Sequence, residues 1–116
     1  MKNIKIGVVG PCASGKTTLI LQLKNHGFDA NHIAQEHSYV ADMWRRLANP
    51  DILIYLDVSY PLTIKRRKLD WTKEEFSEQV FRLRHARQNA SFYLDNDGLT
   101  PGEVLSQVLK FLAGVS

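Results

Sequence analysis

The feature that most constrains the fold of this 116-residue chain is an eight-residue segment near its N-terminus. The segment Gly10-Pro11-Cys12-Ala13-Ser14-Gly15-Lys16-Thr17 fits the phosphate-binding pattern G-x-x-x-x-G-K-[ST] at every fixed position. It follows a strand-like apolar run over residues 4–10 and opens a segment of helical spacing over 15–25. This strand–loop–helix order indicates an α/β domain that binds a nucleotide.

Each fixed position of the motif has a physical reason. Glycine at positions 10 and 15 allows backbone angles and close contacts that a Cβ would prevent. Lys16 supplies a mobile positive charge for the β- and γ-phosphates, and the Thr17 hydroxyl is a ligand for Mg²⁺. Cys12 is either a thiol activated by the helix N-terminus or, as we favour, a residue filling a variable position. The predicted phosphate-binding residues are Gly10, Pro11, Cys12, Ala13, Ser14, Gly15, Lys16, Thr17 and Thr18.

Composition limits the class of protein. With 44% hydrophobic and 23% charged residues, the chain has the balance of one ordinary globular domain, which we predict to span residues 1–116. A disordered, collagen-like or disulfide-stapled chain is excluded, and a single cysteine is typical of a reducing cytosol. The N-terminus has no signal-peptide pattern, and the longest apolar run, 52–56, is too short to span a bilayer. We expect a cytoplasmic protein.

Strand-like and helix-like segments alternate along the chain, which predicts helices on both faces of a parallel sheet. The expected fold class is a three-layer α/β/α domain with four parallel strands. The strands are predicted over 4–10, 31–36, 51–58 and 91–95. The helices are predicted over 15–25, 38–49, 61–69 and 72–89, with a last one after Thr100, where Thr-Pro-Gly-Glu forms a capping box.

Three segments resemble the P-loop kinases, the family of nucleotide, nucleoside and small-metabolite kinases. They are the motif itself, residues 50–67 and residues 90–104, in the family's order. The resemblance implies ATP and Mg²⁺ as cofactors and a lid-like segment over about 60–90. It also implies that Arg66 and Arg67 contact phosphate or adenine, and that Asp97, Gly98 and Leu99 contact the base. The region that would bind the acceptor, 25–50, is short, so the acceptor site is minimal or completed by another subunit or a partner protein.

Two carboxylates are candidates for the chemistry. Glu36 ends the predicted second strand, where ligands of open α/β sheets bind, and we predict that it is the catalytic base. His37 beside it either binds the acceptor or is merely exposed. Asp57 ends a run of apolar residues and either holds Mg²⁺ or is structural. We count it among the metal candidates.

Basic residues concentrate between Lys65 and Arg87, although the net charge is only +3. Arg87 falls on the apolar stripe of a predicted helix, where a charge either reaches solvent or contacts a buried anion, and we count it with Lys16, Glu36 and Arg67 as a catalytic candidate. Nucleic-acid binding is disfavoured because the aromatic residues are not interleaved with these charges. The leading hypothesis is a small ATP-dependent kinase with a small-molecule acceptor. The alternative is a nucleotide-binding, slowly hydrolysing module that acts on a protein partner.

Overall fold

A four-stranded parallel sheet organises the chain in a computed structural model that describes residues 4–67 and 71–115. The strand order is β2-β1-β3-β4. The sheet is parallel at each pairing, with Ile6 opposite Ala30 on one side and Ile52 on the other. The strands are β1 (Lys5–Val9), β2 (Asp29–His32), β3 (Ile52–Asp57) and β4 (Phe92–Asp95). The predicted fold class is confirmed.

Helices follow each strand, as the alternating pattern predicts. The helices are α1 (Lys16–Asn25), α2 (Met43–Leu47), α3 (Tyr60–Arg67), α4 (Lys73–Arg82), α5 (Arg84–Gln88) and α6 (Pro101–Ala113). A short 3-10 helix, Gln35–His37, lies between β2 and α2. Both predicted capping boxes are present, at Thr72 and at Thr100. The predicted end of the third helix falls on residues 68–70, outside the described residues.

The core lies on both faces of the sheet, and strand alternation divides it. On β3, Ile52, Ile54 and Leu56 belong to one buried cluster, whereas Leu53 and Tyr55 belong to the other. Successive strand residues point to opposite faces, so an unbroken apolar run is what a strand covered on both sides requires. The first cluster includes residues of α1 and α6, and the second includes Trp44 of α2.

Two predicted elements around the site are wrong in their bounds. The second strand ends at His32 instead of 36, because pairing with β1 stops there and the chain turns into the 3-10 helix. The helix predicted over 38–49 is reduced to α2. The Ser38 hydroxyl, expected to cap that helix, instead accepts the Val40 N–H and donates to its carbonyl oxygen, which stabilises a local turn.

The helix predicted over 72–89 is interrupted at Leu83, which separates α4 from α5. The Leu83 N–H approaches the carbonyl oxygens of both Gln79 and Val80, as in a tightened last turn. Leu83 is completely buried in the second core cluster. The bend places α5 beside β3 while α4 lies over the phosphate-binding motif.

Candidate active site

The predicted phosphate-binding motif is a loop between β1 and α1, and two glycines permit its path. Gly10 has φ +156°, and a Cβ there would collide with the carbonyl oxygen of Leu56 on β3. Gly15 has φ +94°, and its Cβ would lie 2.9 Å from Asn96 Nδ2. Larger residues would therefore clash at both positions, which explains the two fixed glycines.

Lys16, the first residue of α1, turns its ammonium group back over the loop. Its Nζ donates to the carbonyl oxygens of Gly10 at 2.6 Å and Pro11 at 2.9 Å. The same ammonium lies 3.2 Å from Glu36 Oε2, and both side chains are buried. The structure thus brings the two strongest catalytic candidates into one ion pair.

Glu36 lies in the 3-10 helix after β2, at the same edge of the sheet as the loop because β2 pairs with β1. It is 2% exposed. The imidazole Nε2 atoms of His32 and His37 lie 3.5 and 3.9 Å from Glu36 Oε2. The second oxygen, Oε1, is buried with no hydrogen-bond partner among the described residues. An unpaired buried carboxylate oxygen is costly in a folded protein and suits an atom that accepts a ligand or a proton.

A cavity of about 630 Å³ surrounds the loop, which is within the size range of small-molecule sites. Loop residues 12–18 line its floor, Glu36 and His37 lie on one side, and Leu99, Pro101 and Val104 form an apolar portion. The Thr17 side chain is exposed there and is free of the core. The glycine-shaped cradle, the lysine and the apolar wall fit a nucleoside triphosphate. The Thr17 hydroxyl and the Glu36 carboxylate are oxygen donors of the kind Mg²⁺ prefers.

Arg66 of α3 lines the cavity. Its guanidinium donates to the carbonyl oxygens of Ala13 at 3.4 Å and Asn96 at 3.3 Å. Asn96 is buried after β4 and donates from Nδ2 to the Ser14 carbonyl oxygen at 2.6 Å. The backbone of Arg67 ends α3, but its side chain lies outside the described part of the structure.

Gln79 of α4 holds the loop from the other side. Its Oε1 accepts the Cys12 N–H at 3.0 Å, and its Nε2 donates to Cys12 Sγ at 3.2 Å. Sequence reasoning missed both Gln79 and Asn96. The available signal for Asn96 was its place at the carboxyl end of a strand. Gln79 carried no such signal, since a polar residue on an amphipathic helix is ordinarily taken to be exposed.

Six predicted site residues in the described part of the chain do not line the cavity: Gly10, Pro11, Asp57, Arg87, Asp97 and Gly98. The carbonyl oxygens of Gly10 and Pro11 accept the Lys16 ammonium. Asp57 accepts the Val58 N–H at 2.9 Å and the Tyr93 hydroxyl, so its two oxygens have structural partners. Arg87 is exposed, with its guanidinium 4.8 Å from the centre of the Tyr93 ring. Of its two predicted states, the structure shows the solvent-facing one.

The Asp97 carboxylate accepts the Ser59 N–H at 3.0 Å, and Gly98 completes the turn with φ +78°. Only Leu99 of the three predicted base-contacting residues lines the cavity.

Comparisons with known proteins support the fold. A solved structure of shikimate kinase from Aquifex aeolicus aligns with 96% of this chain and 97% of its own, with a TM-score of 0.64 and 16% sequence identity. The chain matches no protein-family model and no curated protein sequence at a significant level. The structural alignment, together with the four-stranded parallel sheet, shows the fold of a P-loop kinase-like α/β domain. Within the described residues, no helix has the length and apolar character needed to cross a membrane.

Proposed function

We propose that the protein is a small ATP-dependent kinase that transfers the γ-phosphate to a small-molecule acceptor in the cytoplasm. The observation that carries the proposal is the buried pair of Lys16 and Glu36, 3.2 Å apart at the wall of the loop cavity. Nucleotide binding by such a loop requires the lysine but no carboxylate beside it. A buried carboxylate beside it supplies a base at the point where the terminal phosphate would end.

The two side chains of the pair would separate when the nucleotide binds. The phosphates offer Lys16 a stronger anionic partner than the Gly10 and Pro11 carbonyl oxygens that it contacts here. Release of Lys16 leaves the Glu36 carboxylate ready to accept the proton of an acceptor hydroxyl as that oxygen attacks the γ-phosphorus. Mg²⁺, held by the Thr17 hydroxyl, would neutralise phosphate charge when bound.

Other residues at the cavity support a position for each end of the nucleotide. Leu99, Pro101 and Val104 offer an apolar surface for the base, and Arg66 is in reach of the loop from α3. His32 and His37 flank Glu36 and are the nearest polar groups for the acceptor. Because few residues lie between α1 and β3, a second copy or a partner protein would complete this side.

The alternative is a regulatory module that binds nucleotide and acts on a partner protein. Its support is a set of exposed apolar side chains beyond Glu36 and on α4. Tyr39 is 82% exposed, Leu47 76% and Phe81 62%. Such side chains are used in protein interfaces, but they are spread over several elements here.

The deciding experiment separates nucleotide binding from chemistry with Glu36→Gln. This variant keeps the side-chain shape and removes the charge. We expect calorimetry to show nearly unchanged ATP affinity, and phosphoryl transfer or background ATP hydrolysis to fall by about 10²-fold, within the usual range for general-base help.

The matched control is Asp29→Asn, which neutralises an exposed carboxylate at the other end of β2. It should retain wild-type rates. Wild-type turnover in Glu36→Gln would reject the kinase proposal and favour the regulatory module.

A further inference from the structure

We propose that Cys12, Glu36 and His37 form a binding site for a thiolate-seeking divalent cation of the zinc class, and that its occupation withdraws Glu36 from phosphoryl transfer. The sulfur of Cys12, a carboxylate oxygen of Glu36 and a ring nitrogen of His37 lie within 4.8 Å of one another. They come from two separate segments, the loop after β1 and the 3-10 helix after β2. The fold, and not sequence proximity alone, therefore brings them together.

The Glu36 carboxylate provides a second, independent indication of a ligand. Its Oε1 is buried and has no hydrogen-bond partner among the described residues. Removing such an oxygen from water without a partner costs free energy, which a coordinated cation would recover. His37 is 60% exposed at its side chain, so its ring can turn toward a cation without disturbing the core.

The donor set selects the class of cation. One sulfur, one imidazole nitrogen and one carboxylate oxygen favour zinc-like ions, whereas Mg²⁺ prefers oxygen donors throughout. Three protein ligands leave one tetrahedral position open, as in zinc sites that bind a water or a substrate. The thiol loses its proton to solvent on binding, so the thiolate and carboxylate together balance the two positive charges.

Gln79 supports the sulfur ligand. Its Nε2 donates to Cys12 Sγ at 3.2 Å while its Oε1 fixes the Cys12 N–H at 3.0 Å. A hydrogen bond to the thiolate stabilises its negative charge and holds its direction, as outer partners of metal ligands do.

Lys16 opposes the cation, because its ammonium lies 3.2 Å from Glu36 Oε2. The two positive groups compete for one carboxylate. This competition gives a prediction that a chance thiol–metal contact would not: removal of the Lys16 charge should tighten cation binding. Since the cation engages Glu36, it also blocks the proton transfer assigned to that residue. This consequence rests on the proposed function, whereas the binding itself does not.

The test uses Co²⁺ as the probe, followed by displacement with Zn²⁺. Titration of the purified protein should give a thiolate-to-cobalt charge-transfer absorption that Zn²⁺ abolishes and excess Mg²⁺ leaves in place. Cys12→Ser should remove the absorption, and His37→Asn should weaken binding by at least roughly tenfold, which corresponds to about 1.4 kcal/mol. Lys16→Ala should strengthen it. The control His26→Asn changes an exposed histidine at the end of α1 and should have no effect.

An absent charge-transfer absorption would overturn the site. Equal Co²⁺ affinity in wild type and His37→Asn would also overturn it, since the thiol alone would then account for binding. Inhibition of ATP turnover by Zn²⁺ is the expected functional result, and the fractional inhibition should be smaller in His37→Asn when each protein is compared with its own zinc-free rate. If the protein has no turnover at all, the proposed function fails and the spectroscopic titration still decides the site.

Discussion

At the scale of single residues, the ion pair of Lys16 and Glu36 has an energetic consequence as well as a chemical one. Their side chains are only 8% and 3% exposed. Removing one partner of a buried pair leaves an uncompensated charge and destabilises by about 3–5 kcal/mol, while removing both is often close to neutral. The pair therefore couples nucleotide binding to the stability of the loop.

Lys16→Ala tests this coupling. We expect ATP affinity to fall by at least roughly tenfold, about 1.4 kcal/mol, because the charge on the β- and γ-phosphates is lost. We also expect the free energy of unfolding to fall by about 3 kcal/mol, the lower end of the range, since the cavity admits water. Adding Glu36→Gln should restore part of that stability without restoring ATP binding. Calorimetry and urea unfolding measure the two effects, and additive stability losses would show that the pair is not coupled.

A second prediction concerns Tyr93. Partial desolvation of Tyr93, which remains 40% exposed, and then the hydrogen bond to Asp57, raise its pKa from 10.0 to about 12. Above pH 10.0, the folded protein therefore keeps the Tyr93 proton that the unfolded chain releases. The corresponding stability is present below pH 10.0 and is lost as the pH rises toward about 12.

Urea midpoints across this alkaline range should fall less steeply for Tyr93→Phe than for wild type. The control is Tyr39→Phe, because Tyr39 is 82% exposed. A wild-type slope in Tyr93→Phe would contradict the assignment. Burial also raises the pKa of Tyr55, so both variants should still lose some stability at alkaline pH.

Residue-level prediction from the sequence succeeds where local pattern carries the information. The motif predicted a loop between a strand and a helix, and the structure has it between β1 and α1, because the information for such a loop is local. Glu36 lies beside the loop although its predicted strand end was wrong, because the topology still brings the segment after β2 to the loop; its catalytic role stays a prediction. Gln79 contacts Cys12 across 67 positions, and Asn96 contacts Ser14 across 82. The spacing of residues in a single sequence does not predict contacts between positions this far apart.

At the scale of elements, the two capping boxes have the same chemistry and different tertiary roles. Thr100 accepts the Glu103 N–H, and α6 buries Val104, Val108 and Leu112 in the first core cluster. Thr72 makes the same bond in α4, where Gln79 is the one buried residue among those that the structure describes. Helix α6 is therefore part of the core, whereas α4 lies over the phosphate-binding loop.

Thr100→Ala should therefore lower the global free energy of unfolding by about 1 kcal/mol, the usual cost of losing a threonine cap. Thr72→Ala should act mainly on local opening of α4, seen as faster amide hydrogen exchange there, with a smaller effect on the global urea midpoint. Equal effects of the two variants on the midpoint would show that α4 unfolds only with the core.

Element prediction failed mainly between α1 and β3. The sequence there favoured a longer strand and a helix from Ser38, yet tertiary contacts determine both. Gln35 donates to the carbonyl oxygens of Val40 and Arg82 and accepts the Trp44 N–H, which fixes an irregular segment before α2. A buried glutamine satisfying three backbone groups replaces the helical hydrogen bonds that spacing alone predicted.

At the scale of the whole molecule, the site and the core share one sheet. The cavity draws on the loop after β1, the 3-10 helix after β2, α3 and the segment after β4. The two core clusters are the two faces of the same strands. A ligand that bridges these elements should therefore stabilise the chain as a unit. This is a measurable consequence of the prediction that the chain is a single domain.

Differential scanning calorimetry tests this expectation. One cooperative transition should appear, and MgATP at a free concentration of about 100 times its Kd should stabilise the folded state by about 2.7 kcal/mol. For a domain of this size, about 4 °C per kcal/mol predicts a rise in Tm of roughly 10 °C. For Lys16→Ala, a tenfold weaker affinity reduces the stabilisation at the same MgATP concentration to about 1.4 kcal/mol, so its Tm should rise by no more than roughly 6 °C. Two transitions, with MgATP moving only one, would contradict a single cooperative domain, since the elements that form the cavity would then unfold separately from the rest of the sheet.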